Sequence, residues 1–123
     1  MCHQSVSLIA RFLEEHGVPT VVMGCARDIV ERAGVPRFWW SDFPLGHSAG
    51  KPYDLDSQAA TLAGALQLLT TSQHAGVCTQ SPEVWSDDDA WKHDFMDVAS
   101  LTGEQIANLQ SEHEQTRAMK TKK

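Results

Sequence analysis

Residues 5–24 read SVSLIARFLEEHGVPTVVMG, and residues 25–40 continue CARDIVERAGVPRFWW. The first stretch predicts a helix over 5–16, because Leu8, Ile9, Phe12 and Leu13 fall at helical spacing with Arg11, Glu14 and Glu15 on the other side. Gly17 suits the end of that helix, since glycine enters the left-handed conformation without penalty, and Pro19 bars continuation. Thr20-Val21-Val22-Met23 is a short apolar, β-rich run of the kind buried on both faces of a sheet. Residues 25–33 read as a second helix with Ile29 and Val30 inward and Gly34 as its stop. Residues 37–40 read as a second strand, in which the adjacent Trp39 and Trp40 face opposite sides.

Further along, a loop over 41–53 carries the breakers Pro44, Gly46, Gly50 and Pro52. Asp54 or Asp56 then caps a third helix that runs to about residue 71, with Ala59, Leu62, Ala63, Leu66 and Leu69 as its apolar stripe. Residues 70–89 look polar and irregular. Their acidic run Asp87-Asp88-Asp89 reads as a solvated turn or helix cap, with Trp85 and Trp91 placed to anchor the segment back on the sheet. The signature Thr-Gly-Glu-Gln from Thr102, ahead of Ile106 and Leu109, predicts a fourth helix that leads into a basic tail.

Helices alternating with short apolar strands define the class: α/β, a small parallel sheet flanked by helices, a partial doubly wound arrangement of flavodoxin- or Rossmann-like type with a C-terminal helix. The expected division is an α/β domain over 1–100 and a helix with tail over 101–123. Two strands are foreseen and none precedes the first helix. The resulting open sheet edge predicts a homo-oligomer.

Composition narrows the function. At 123 residues the chain supports one core, and a formal net charge of -6 argues against a nucleic-acid partner. No apolar run approaches the roughly 20 residues that span a bilayer, and the start lacks the pattern of a secretory leader. Three cysteines, Cys2, Cys25 and Cys78, form no metal-like pairing, and reduced thiols in a cytoplasm are the simplest reading. His74, His93 and His113 show no ligand spacing, so neither a metal nor another cofactor is expected.

Chemistry concentrates at two places. Cys25 follows a strand and opens a helix, where ligands sit in doubly wound folds and where the helix dipole lowers a thiol pKa; the alternative is a small buried apolar residue. The loop 42–52 brings a carboxylate, an imidazole and an ammonium together in Asp42, His47 and Lys51, while Gly46 and Gly50 allow close backbone approach to a ligand. Its GHSAGK lacks the hydroxyl residue of a phosphate loop and has Pro52 instead. A small-molecule substrate or a partner's acidic group, met by Lys51 and backbone amides, suits it better.

Two stretches carry a family resemblance: residues 2–22, CHQSVSLIARFLEEHGVPTVV, and residues 42–52, DFPLGHSAGKP, followed by an Ala/Leu-rich helix. Together they resemble the selenoprotein B component of glycine, sarcosine and betaine reductases. In that family a redox loop of selenocysteine or cysteine, two residues, cysteine, two residues, cysteine leads into a helix and an IPTV strand. The resemblance puts Cys2 on the middle cysteine and Ser5 on the last, and places the first position ahead of Met1. It implies thiol- or selenol-dependent reductive chemistry on a small substrate, with transfer of a carboxymethyl group to partner reductase subunits. Cys2 would be a thiolate at a helix start, with His3 its proton partner. A non-catalytic binding or assembly subunit that keeps the fold without the redox loop is the alternative.

Overall fold

The computed structural model describes residues 2–94 and 102–103. Among the described residues seven elements follow in order: α1 (Cys2–Glu15), β1 (Val22–Gly24), α2 (Arg27–Ala33), β2 (Arg37–Trp40), α3 (Leu55–Thr71), β3 (Val77–Gln80) and α4 (Ala90–Asp94). A compact unit spans Met1–Asp87, and α4 falls in a second unit that begins at Asp88. The helix expected beyond Thr102 lies outside the described residues.

Local chemistry sets the boundaries. α1 closes at Gly17, at φ 79°, with the Val18 amide reaching back 2.9 Å to the Leu13 carbonyl. Gly34 ends α2 in the left-handed conformation. Asp54 caps α3 by accepting the Ser57 amide at 3.0 Å.

The sheet is parallel with order β1-β2-β3, so its class is the α/β arrangement read from the sequence. β2 is central: Val22, Met23 and Gly24 pair with Phe38, Trp39 and Trp40, and Arg37 to Trp40 pair in turn with Val77 to Gln80. The third strand lies where an irregular segment was expected. Val-Cys-Thr-Gln holds a single strongly apolar residue and forms a half-exposed edge, so its strand character comes from pairing with β2 rather than from a pattern of its own.

One face of the sheet packs Val22 and Phe38 with Ala10 of α1 and with Val30 and Val35 of and after α2; the other packs Trp39 with Ala65 and Leu68 of α3. Trp39 and Trp40 therefore point to opposite faces, as their adjacency requires.

Both long helices turn the opposite way from the one their apolar stripes predict. α1 buries His3, Ser7 and Ala10 and leaves Leu8, Ile9 and Phe12 more than half exposed. α3 buries Ser57, Thr61, Ala65 and Leu68 and exposes Leu62 and Leu66. Ile29 of α2 is also outward, at 40% exposure, while Val30 is fully buried. The reason is volume. The strands supply Phe38, Trp39 and Trp40, so a helix closes on them only with a small-residue face. A Cβ at Gly64 would stand 2.3 Å from the Trp39 ring. The hydroxyls on these faces have partners: Ser7 donates to the His3 carbonyl at 2.6 Å and Thr61 to Glu83 at 2.8 Å. No helix among the described residues is long and apolar enough to cross a membrane.

Candidate functional site

Parallel pairing in register brings the carboxyl ends of all three strands to one edge, at Gly24, Trp40 and Gln80. Backbone bonds from Ser41 N–H to the Gly24 carbonyl, 3.0 Å, and from Ser81 N–H to the Trp40 carbonyl, 2.7 Å, lace the following loops together. Cys25 and the loop 42–51 both emerge there, and the Trp40 indole N–H donates to the Cys25 carbonyl at 3.0 Å.

The start of α1 reaches the same place. His3 is 7% exposed, and its Nε2 accepts the Cys25 N–H at 3.1 Å and the Ala26 N–H at 3.4 Å. Its other ring nitrogen, Nδ1, lies 3.7 Å from the Cys2 sulfur. Burial lowers the His3 pKa, the positive amino terminus adds to that, and Asp28 opposes it. The ring is therefore neutral at pH 7. Cys2 itself is exposed.

Cys25 stands two residues ahead of α2 rather than opening it, and its pKa moves opposite to the sequence expectation. Burial pushes the thiol up, and Asp42 adds to the rise. The Ser48 hydroxyl, 3.7 Å from the sulfur, and the backbone N–H groups of His47 and Phe43 act the other way and are outweighed. Cys25 is thus a half-buried thiol wrapped by the loop.

That loop walls a cavity of about 630 Å³ lined by Met23, Gly46, His47, Ala49, Gly50, Pro52, Gln58 and Leu62. Gly50 must be glycine: its φ is 109° and a Cβ would stand 2.8 Å from the Gln58 backbone. Gly46, at φ 100°, faces open space. Lys51 donates its backbone N–H to Ser57 Oγ at 3.0 Å and is not among the cavity-lining residues, and nor is Asp42. His47 packs at a tilt against Trp85 at a ring separation of 4.8 Å, and Phe43 does the same on that indole at 5.4 Å. Trp85 thus anchors its segment on the loop.

The structure gathers Cys2, His3, Cys25, Gly46, His47 and Gly50 at one edge of the sheet. Trp85 was expected to anchor its segment on the sheet and instead packs on Phe43 and His47 of the loop. Sequence reasoning missed Ser48 and Gln58: Ser48 lay inside the quoted loop and was legible there, whereas Gln58 reaches the site only through the fold. Among the described residues no cluster of His, Cys, Asp and Glu could hold a metal ion.

No family model matches the chain, and no solved structure matches it. The chain is similar to the gamma subunit of D-proline reductase from Acetoanaerobium sticklandii, with 31% identity over 81 residues. The matched region is 66% of this chain and 34% of that subunit, so the chain spans about a third of its relative's length.

Proposed function

We propose that this chain is a component of a thiol-dependent reductase resembling the selenoprotein B subunits, acting with partner subunits on a small molecule in a cytoplasmic setting. The observation that carries the reading is the convergence of Cys2, His3 and the Cys25 loop at the carboxyl edge of the sheet, beside the cavity that Gly46, His47 and Gly50 line. Similarity to a reductase subunit supports it. Cys2 is the exposed thiol, and the loop whose Gly46, His47 and Gly50 line the cavity is the substrate-binding segment, with Asp42 and Lys51 of the same loop outside the cavity lining. The chemistry is cleavage of a substrate bond R–X by two thiols. Two electrons and two protons pass to the substrate, giving R–H and H–X, and the thiols become a disulfide. Cys2 supplies one thiol and a partner subunit the other.

A second reading, a non-catalytic assembly subunit, is favoured by the outward apolar stripes of α1 and α3, including Ile9 at 58% and Leu62 at 52% exposure. The same surfaces suit a homo-oligomer. One experiment separates the readings. The chain is combined with candidate partner subunits, D-proline and dithiothreitol as electron donor, and loss of substrate is followed. The reductase reading expects turnover that Cys2→Ser abolishes. Turnover that survives Cys2→Ser, or complex formation without turnover, leaves the assembly reading.

A further inference from the structure

The buried imidazole at the start of α1 joins two parts of the chain that are far apart in sequence. His3 Nε2 receives two backbone N–H groups, from Cys25 at 3.1 Å and Ala26 at 3.4 Å. A nitrogen that accepts N–H groups carries no proton, so the proton of the neutral ring is on Nδ1. That N–H faces the Cys2 sulfur at 3.7 Å and donates to it. The surroundings hold the ring in place: it is 7% exposed, and β1 has a glycine where a Cβ would come within 2.8 Å of His3 Cδ2.

We infer that His3 is a positioning residue of the thiol site: as a neutral imidazole it ties the Cys2 end of α1 to the backbone ahead of α2, and taking up a proton unties it. The inference rests on the reading of Cys2 as the working thiol. Its physical basis is donor and acceptor count. A protonated ring has N–H groups at both nitrogens, so Nε2–H would face two N–H donors with nothing to accept it. In a buried setting that arrangement is not sustained, and the ring leaves, carrying the adjacent Cys2 with it. The titratable and charged groups that face the ring are Cys2 on its own element, Cys25 ahead of α2, and Asp28 within α2. Burial opposes the proton first of all, the positive amino terminus adds to that, and Asp28 favours it. The tie therefore holds at neutral pH and opens in acid. The consequence is regulation: the thiol at Cys2 and the loop around Cys25 share one geometry only while His3 is neutral.

The test compares the wild-type chain with His3→Gln and His3→Phe, using amide hydrogen exchange at Cys25 and Ala26 from pH 5 to 8, corrected for intrinsic rates, and site-resolved iodoacetamide labelling. Glutamine can accept and donate but does not titrate; phenylalanine keeps the ring volume and has no polar atoms. Wild type is expected to protect both amides at neutral pH, to begin losing that protection below about pH 6.5, the ordinary histidine value, and to lose the rest as the pH falls through the lower value of the buried ring. His3→Gln should hold protection flat across the range, and His3→Phe should lack it throughout, by about tenfold, the scale of one hydrogen bond. Cys2 labelling relative to Cys78 should follow the same pattern. Wild-type protection in His3→Phe, or an imidazolium His3 at neutral pH by ring nitrogen NMR, overturns the inference. If His3→Phe does not fold, wild type and His3→Gln must still differ below pH 6.5, and identical profiles overturn it. A tie that behaves as expected while Cys2 labels no faster than Cys78 removes the thiol reading and, with it, the regulatory role.

Discussion

Replacing Gly24 with alanine tests how the sheet meets the site. Gly24 does not have a positive φ, so alanine meets no backbone strain there, and the lower unfolded-state entropy of alanine would by itself stabilise by roughly 0.5–1 kcal/mol. Sterics oppose this. The new Cβ would stand 2.8 Å from His3 Cδ2, 3.1 Å from His3 Nε2 and 3.2 Å from Phe38 Cε2, against an ordinary contact of 3.4–4 Å. His3 is 7% and Phe38 2% exposed, so neither ring has room to withdraw. Overpacking of this kind costs about 1–3 kcal/mol, and losing the bonds from Cys25 and Ala26 to His3 adds about 1 kcal/mol. The net expectation is a loss of about 1–3 kcal/mol, which for a domain of this size lowers Tm by roughly 4–8 °C per kcal/mol. Thermal and urea unfolding by circular dichroism would measure it in Gly24→Ala, His3→Ala and the double variant. Once the His3 ring is gone, the alanine at 24 should cost much less, so the double variant should be more stable than the sum of the singles. A Tm for Gly24→Ala at or above wild type would refute the reasoning, because it would mean the imidazole is not held against β1.

The outward stripe of α1 should govern association: changing Ile9 and Phe12 together to glutamate leaves the far-ultraviolet spectrum unchanged, since both are more than half exposed, but converts an oligomer to a monomer by light scattering, and a wild-type chain that is already monomeric at micromolar concentration contradicts it. Acid stability should depend on Glu14. Burial acts to raise its pKa, but the N–H and hydroxyl of Thr20 and the guanidinium of Arg37, 2.7 Å away, outweigh it and hold the carboxyl below its ordinary value. The unfolded chain then takes up the proton first, so this contribution is present above about pH 4.5 and lost as pH falls through the lower folded value. Arg37→Gln should move the acid-unfolding midpoint upward, and an unchanged midpoint would show that the pair adds nothing.

Much of the frame was legible. Gly17, Gly34 and Asp54 punctuate the chain where turn and cap chemistry requires, and 37–40 forms its strand as read. The loop 42–52 could be picked out because strand, glycines and polar residues follow one another within a single segment. The contacts of the site were not legible, because they join residues 22 or 23 positions apart, as in His3 with Cys25 and Cys25 with Ser48. The direction of the Cys25 pKa was misjudged for the same reason: the sequence shows a nearby helix start, but not the loop that buries the sulfur.

By itself the sequence determined that helices alternate with short apolar strands, and hence a parallel sheet covered by helices, because periodicity, caps and breakers are local properties of the chain. Only the tertiary structure decided which side of each helix faces inward. Periodicity marks an apolar stripe but does not say what it meets. Here the sheet brings its own bulk in Phe38 and Trp39, and close packing admits Ser7, Ala10, Thr61 and Ala65 against it while Ile9, Phe12, Leu62 and Leu66 are left on the outside.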